Sequence, residues 1–272
     1  MAFEYNLSSY AERIGYQGEF SPTWDCLLQL LERHTISIPF ENLDVVLHRG
    51  IPLEPERLQE KLIHQRRGGY CFEQNGLLFG ILQQIGFQVR PLSGRVRLET
   101  GRASLPPRTH LFLLLTYKEQ EWLVDVGVGG FTLTKPIRFL LGAEQETLHE
   151  PRRLVHEGDR FYHQAFNGTN WIDVYDFTGE EMPPIDQDVA NWWTSTKPGT
   201  KFKSNVMASR AGENGERFSL LNNRFTHRRM AQILQQKELQ SMEELLETLK
   251  LYFGIELPGV DHLPAVNLTF PT

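Results

Sequence analysis

Apolar positions recur at helical spacing through the first third of the chain and alternate at strand spacing after it. Trp24, Leu27, Leu28, Leu30 and Leu31 make a helical stripe, preceded by Ser21-Pro22, which reads as a cap with proline at the first helical position. A second helix is predicted over about residues 54–64. A third starts at Cys71 and buries Phe72, Leu77, Leu78, Ile81, Leu82 and Ile85 before Gly86 ends it. From Phe87 the period shortens. Residues 87–90 and 94–98 alternate, 111–115 is uniformly apolar, as a strand covered on both faces would be, and 122–126 follows. Residues 160–166 and 171–177 flank Asn167-Gly168, a strong hairpin signal. This antiparallel region runs to about residue 190 and reads as a barrel. Residues 191–210, rich in Thr, Ser, Lys and Pro, read as a connector. Strands return at 216–221 and 224–229, and a last helix begins at Ser241, with Glu244 in a capping-box relation, and ends at Gly254.

At 272 residues, with 40% hydrophobic composition and 17 Phe, the chain can bury a substantial core as one large domain or two to three small ones. A net charge of −6 and a pI near 5.9 argue against a general nucleic-acid binder. Arg66-Arg67 and Arg228-Arg229 are pairs, not basic runs. The longest strictly apolar stretch, Leu111 to Leu115, is far below a membrane span, and Met1 to Asn6 lack the basic and apolar regions of a secretory signal. Two cysteines, Cys26 and Cys71, make no disulfide framework, so a reducing cytoplasm is the expected compartment.

Cys71 follows a Gly68-Gly69 break and opens an apolar helical run. Helix N-terminal amides and the arginines Arg66 and Arg67 would both favour its thiolate, the nucleophilic form. The alternative is a buried structural cysteine with arginines on the surface. A thiolate nucleophile needs a base and a group to orient that base. Among nine histidines, His34, His64 and His227 read as surface residues, and His48 and His262 fall in loop-like stretches. His149, His156 and His163 recur every seven residues across a predicted loop with no cysteine among them, so a metal site there is disfavoured. His110 is different: it follows Pro106-Pro107 at the start of the apolar strand, where a barrel rim would be. Centring the next turn on Lys118 and Glu119 sets Asp125 opposite Phe112, two residues from His110 and on the same face. A carboxylate between Val124 and Val126 needs a partner, which an imidazole N–H would supply. Capping the turn Gly127 to Gly130 is the other explanation.

Arg-Gly-Gly-Tyr-Cys-Phe-Glu-Gln-Asn around Cys71, Pro39-Phe40-Glu41-Asn42-Leu43 upstream, Arg108-Thr109-His110, and Asp125-Val126-Gly127-Val128-Gly129-Gly130 together resemble the arylamine N-acetyltransferases. Order and spacing match that family from end to end, and the compact length is similar to its prokaryotic members. The resemblance implies an α+β chain of three parts: a helical bundle over 1–86 carrying the cysteine, a β-barrel over 87–190 carrying His and Asp, and a connector with an α/β lid over 191–272. The arrangement would be that of a cysteine proteinase, Cys-His-Asp. By the same resemblance Cys71 is the acetyl carrier, His110 the base and Asp125 its orienting partner, in a ping-pong transfer from acetyl-CoA to an arylamine or hydrazine, with no metal. Thr109, Gly127, Val128, Gly129 and Phe202 would lie near coenzyme or acceptor, and Glu41 with Arg67 would form a structural ion pair bracing the cysteine loop. The family often carries an aromatic residue where Val128 stands. The runner-up readings are a thiol hydrolase, a related amide synthase, and an inactive relative that only binds CoA or an aromatic ligand.

Overall fold

The structure is a computed structural model, described over residues 3–271. Its N-terminal part packs three helices, α1 (Leu7–Ile14), α2 (Trp24–Ser37) and α3 (Cys71–Ile85). The cap of α2 is Thr23, whose hydroxyl accepts from Cys26 N, rather than Ser21. Asn6 caps α1 in the same manner, and Gly15 and Gly86, both at positive φ, end α1 and α3. A short helical segment, Pro55–Leu58 continuing as Gln59–His64, lies before the cysteine loop.

Strands follow: β1 (Phe40–Glu41), β2 (Gln88–Val96), β3 (His110–Tyr117), β4 (Gln120–Val124), β5 (Ile137–Arg138), β6 (Arg152–Glu157), β7 (Arg160–Phe166) and β8 (Trp171–Glu181). All but β1 form one antiparallel sheet in the order β5-β4-β3-β2-β8-β7-β6. Bridges from Leu141 and Gln145 to β6 bring its two edges together as a nearly closed barrel. Strand β2 runs unbroken through Pro91, where the sequence suggested an interruption. The Pro91 carbonyl accepts from Met182 N, just past the end of β8, so the nitrogen that lacks a hydrogen faces no ladder partner. Strand β6 occupies the stretch read as a loop between His149 and His163.

The uniformly apolar β3 is covered on both faces. Leu113 and Leu115 pack against Leu27, Leu31, Leu78 and Ile81 of the helices. Phe112 and Leu114 face the barrel interior with Leu92, Leu123, Tyr175 and Phe177. Each such side chain, fully buried, is worth roughly 1.5–3 kcal/mol, so this strand is the seam between bundle and barrel.

The last part is a second antiparallel sheet of β1 with β9 (Met207–Ala211), β10 (Glu216–Leu221), β11 (Arg224–Arg229) and β12 (Gln232–Glu238), backed by α5 (Met242–Phe253). Between the last barrel strand and β9 the chain forms α4 (Pro184–Thr196), so helix replaces the end of the expected barrel and the start of the expected connector, and Lys201–Ser204 adds a further turn. Strand β1 makes the N-terminal segment an edge of the C-terminal sheet, and Leu43 and Val46 enter that sheet's core beside Phe225 and Leu249. Glu150 fastens this sheet to the barrel. It accepts from Arg217 Nε and Nη2 at 2.7 Å each, from Arg228 at 2.9 Å and from Arg152 at 2.9 Å. Burial alone would raise its pKa; the arginines outweigh that and hold it well below the usual carboxylate range.

Candidate active site

Cys71 is the first residue of α3 and is buried. Glu73 turns back to accept from Tyr70 N at 3.0 Å, so the helix starts where the glycine break releases the chain. The thiol donates to the Thr109 carbonyl at 3.6 Å. Thr109 immediately precedes β3, whose first residue is His110. Chain order therefore delivers the histidine beside the cysteine.

The turn between β3 and β4 sits at Lys118 and Glu119, both at positive φ, and pairs Leu113 with Val124. One step further along, Asp125 falls opposite Phe112, as the register argument required. His110 Nε2 and Asp125 Oδ2 are 2.8 Å apart, and both residues are buried. Burial would lower the imidazole's pKa. The charge and hydrogen bond of Asp125, followed by those of Cys71, reverse this and push it up to about 10. With Nε2 engaged by Asp125, Nδ1 is the nitrogen left for the thiol. The other carboxylate oxygen, Asp125 Oδ1, accepts from Asn75 Nδ2 and Gly127 N, each at 2.9 Å. The two explanations for Asp125 thus coexist: one oxygen holds the histidine while the other holds the glycine turn.

Sequence reasoning quoted Asn75 without giving it a role. It sits one turn after Cys71 and ties α3 to the barrel rim, donating to the Leu111 carbonyl at 2.7 Å and accepting from Val126 N at 3.0 Å. Its signal was available: a polar side chain on the buried face of an apolar helix requires partners. Gly127 must be glycine for the same approach, because a Cβ there would stand 2.7 Å from both Asn75 Nδ2 and Cys71 Cα.

The two arginines have other neighbours. Arg67 donates twice to Glu41 Oε1, at 3.0 and 2.7 Å, and to Asp44 at 3.2 Å. Arg66 is exposed, against Arg13 and Arg210 on another face. The Glu41–Arg67 pair extends into a network that the sequence did not reveal: Lys61 bridges Asp44 and Glu73 at 2.7 Å each, and Glu73 caps the cysteine helix. Two surface assignments also change. His34 is buried between Tyr10 and Gln74, at 2.8 and 2.7 Å, and burial lowers its pKa to about 4. His227 is half-buried near Glu216. His149 and His163 are buried at separate places and His156 is exposed.

The N-acetyltransferase family profile matches residues 23–262. An arylamine N-acetyltransferase of Escherichia coli is 38% identical over 256 residues, covering 94% of this chain and 91% of that protein. The solved arylamine N-acetyltransferase of Salmonella typhimurium superposes with a TM-score of 0.88 at 38% identity, covering 94% of this chain and 93% of that one. That of Mycobacterium marinum in complex with CoA gives 0.88 at 35% identity, covering 92% and 93%. The chain belongs to the arylamine N-acetyltransferase family. Its members are acyltransferases.

Within this N-acetyltransferase, the remaining sequence candidates fall in four places. Thr109 touches the thiol and lines a cleft of about 590 Å³ with Ser93, Arg95, Met182, Val189 and Trp193. Gly129, at φ +88°, lies against Phe40 and Ser209 of the C-terminal sheet. Phe202 packs edge-on against Tyr70, with ring centroids 5.4 Å apart, so it stands over the cysteine loop. Val128, by contrast, is buried with Phe112 and Leu133 in the barrel cluster. Tyr175, also missed, lies 4.9 Å from the His110 ring, and its buried hydroxyl makes no hydrogen bond among the described residues. No helix among the described residues is long and apolar enough to cross a membrane.

Proposed function

We propose that this chain transfers the acetyl group of acetyl-CoA to the nitrogen of an arylamine or arylhydrazine through a thioester on Cys71. The observation that carries the reading is the line Cys71–His110–Asp125, with the 2.8 Å imidazole–carboxylate contact buried at the seam of bundle and barrel. In the first half-reaction the Cys71 thiolate attacks the thioester carbonyl, the carbon–sulfur bond to CoA breaks, and the His110 imidazolium gives its proton to the departing CoA sulfur. In the second, the amine nitrogen attacks the acetyl-cysteine, the Cys71 sulfur leaves, and His110 takes the amine proton. Asp125 stabilises the imidazolium whenever the ring is charged and fixes the tautomer of the neutral ring. In this reading, backbone N–H groups of the first turn of α3, which have no intrahelical partners, receive the oxyanion. Acetyl-CoA and the amine are substrates; no metal takes part in these steps.

The same reading gives Thr109, Gly127, Gly129 and Phe202 contact with substrates, and Glu41 with Arg67 the support of the cysteine loop. Val128 would act from the barrel side, shaping the glycine turn. The division into 1–86, 87–190 and 191–272 is supported by three apolar clusters, each drawn mainly from one part, with Leu113 and Leu115 shared between bundle and barrel, Leu43 and Val46 lent to the last part, and α4 crossing the second boundary. The two free thiols support a cytoplasmic location. The Salmonella typhimurium relative, 38% identical over 272 residues, is named an N-hydroxyarylamine O-acetyltransferase as well; a hydroxylamine oxygen could enter the second step in place of the amine nitrogen. The test is product analysis with acetyl-CoA and an arylamine. Acetylated amine in step with released CoA is expected. Free acetate as the main product would make the chain a hydrolase instead.

A further inference from the structure

We infer that Arg95 binds an oxyanion group of a substrate, a carboxylate on the acceptor or a phosphate on the donor, in the cleft beside Cys71. This inference rests on the acetyl-transfer reading above. Four arginines gather at this rim: Arg95 and Arg97 on or next to β2, Arg108 before β3, and Arg160 at the start of β7. Three have carboxylates. Buried Asp176 takes Arg97 on one oxygen and Arg160, at 2.7 Å, on the other, while Arg108 pairs with Glu180. Arg95 has no carboxylate within ion-pair distance among the described residues, although Asp176 stands opposite it in the sheet.

Its position is nevertheless fixed. One terminal nitrogen donates to the Pro106 carbonyl at 2.5 Å, and Nε is buried with no acceptor among the described residues. With Nε enclosed and one terminal nitrogen anchored, the guanidinium edge that lines the cleft is held in place to donate to a planar or tetrahedral oxyanion. Burial, then Arg160 and Arg108, disfavours its charge, and a bound anion would offset both effects.

Location ties this guanidinium to the chemistry. Gly94 pairs with His110, so Arg95 comes abreast of Thr109, whose carbonyl receives the thiol. Arg95 lines the 590 Å³ cleft and a second one of about 210 Å³, with Arg108 and Glu180 common to both. Met182, Val189 and Trp193 give the larger cleft an apolar wall for an aryl ring or a pantetheine arm. Glu180, Glu181 and Asp186 also line it, so there is no broad positive field. Recognition would depend on contact with the guanidinium, not on long-range attraction.

The experiment compares wild type with Arg95→Gln and Arg95→Lys on two matched pairs: 4-aminobenzoate against 4-methylaniline, and acetyl-CoA against S-acetylpantetheine. Losing a charge-assisted contact should lower kcat/KM for the charged member about tenfold or more relative to its uncharged partner, with part of the loss restored by Arg95→Lys. A selective penalty on 4-aminobenzoate assigns the anion to the acceptor; one on acetyl-CoA assigns it to the donor. Equal effects on both members of both pairs would overturn the inference. Calorimetric titration with benzoate and with inorganic pyrophosphate supplies a readout that needs no turnover. Binding of either that disappears in Arg95→Gln supports the site even if acetyl transfer itself fails. Identical titrations of wild type and Arg95→Gln with both anions contradict it.

Discussion

Replacing Asp125 with Asn separates its two duties, because the structure dictates how the amide must lie. The oxygen that replaces Oδ1 has to stay where Asn75 Nδ2 and Gly127 N donate to it. The new NH2 group is then forced toward His110 Nε2, where a carboxylate oxygen stood 2.8 Å away. Two donors cannot face each other, so Nε2 must give up its proton and the ring takes the other tautomer, with its hydrogen on Nδ1 facing the thiol. The imidazole also loses the charge that, against burial, helps lift its pKa from 6.5 to about 10. That lift corresponds to roughly 5 kcal/mol between the charged and neutral ring, shared between Asp125 and Cys71. Asp125→Asn should therefore lower the rate of acetyl-CoA consumption per folded molecule by about 10²–10⁴-fold, in the range of a triad carboxylate turned to amide. Cys71 should react more slowly with iodoacetamide at neutral pH. Turnover, alkylation rate and melting temperature should be measured on one preparation. Unchanged turnover and alkylation with a lowered melting temperature would refute the reasoning and leave Asp125 as a turn cap alone.

Asn75→Ala removes one buried amide that makes three hydrogen bonds. It should cost about 2–4 kcal/mol of stability by urea unfolding and slow turnover, since Asp125 loses one of its anchors. Asn75→Asp should not restore either, because a carboxylate there would face Asp125. Glu150→Gln should cost about 3–5 kcal/mol, because three arginines lose their shared charge. The folded-state pKa of Glu150 is depressed, so its contribution is fully present above the unfolded value of about 4.5 and is lost as pH falls below it. Wild type should thus lose stability on acidification more steeply than Glu150→Gln, and parallel pH profiles would contradict the assignment.

Local periodicity made the fold largely legible where one face of an element was apolar. The stripe of α2, the run of α3 and the doubly covered β3 all lie where their patterns placed them. The His110–Asp125 contact followed from a single register, fixed by a turn whose central residues are not even glycines. Helix α4 escaped because its amphipathicity is inverted: Ile185, Val189 and Trp192 are exposed while Asn191, Thr194 and Ser195 are buried. Asn191 earns its burial through hydrogen bonds to Tyr70 and to the Ile51 carbonyl, contacts 121 and 140 residues away in sequence. Strand β12 is exposed at every position, so it carries no alternation to read. The partners of the arginines were not legible because adjacency in sequence is not adjacency in space. Arg67 turns to Glu41 and Asp44, whose positions depend on the short strand pairing that joins β1 to β9.

The most direct test of the central claim is intact-protein mass spectrometry after brief exposure to acetyl-CoA without an acceptor, followed by peptide mapping. A single acetyl adduct on Cys71 is predicted, absent in Cys71→Ala, retained in Cys26→Ala, and discharged when an arylamine is added. An adduct on another residue, or acetyl transfer to amine that persists in Cys71→Ala, would contradict the account.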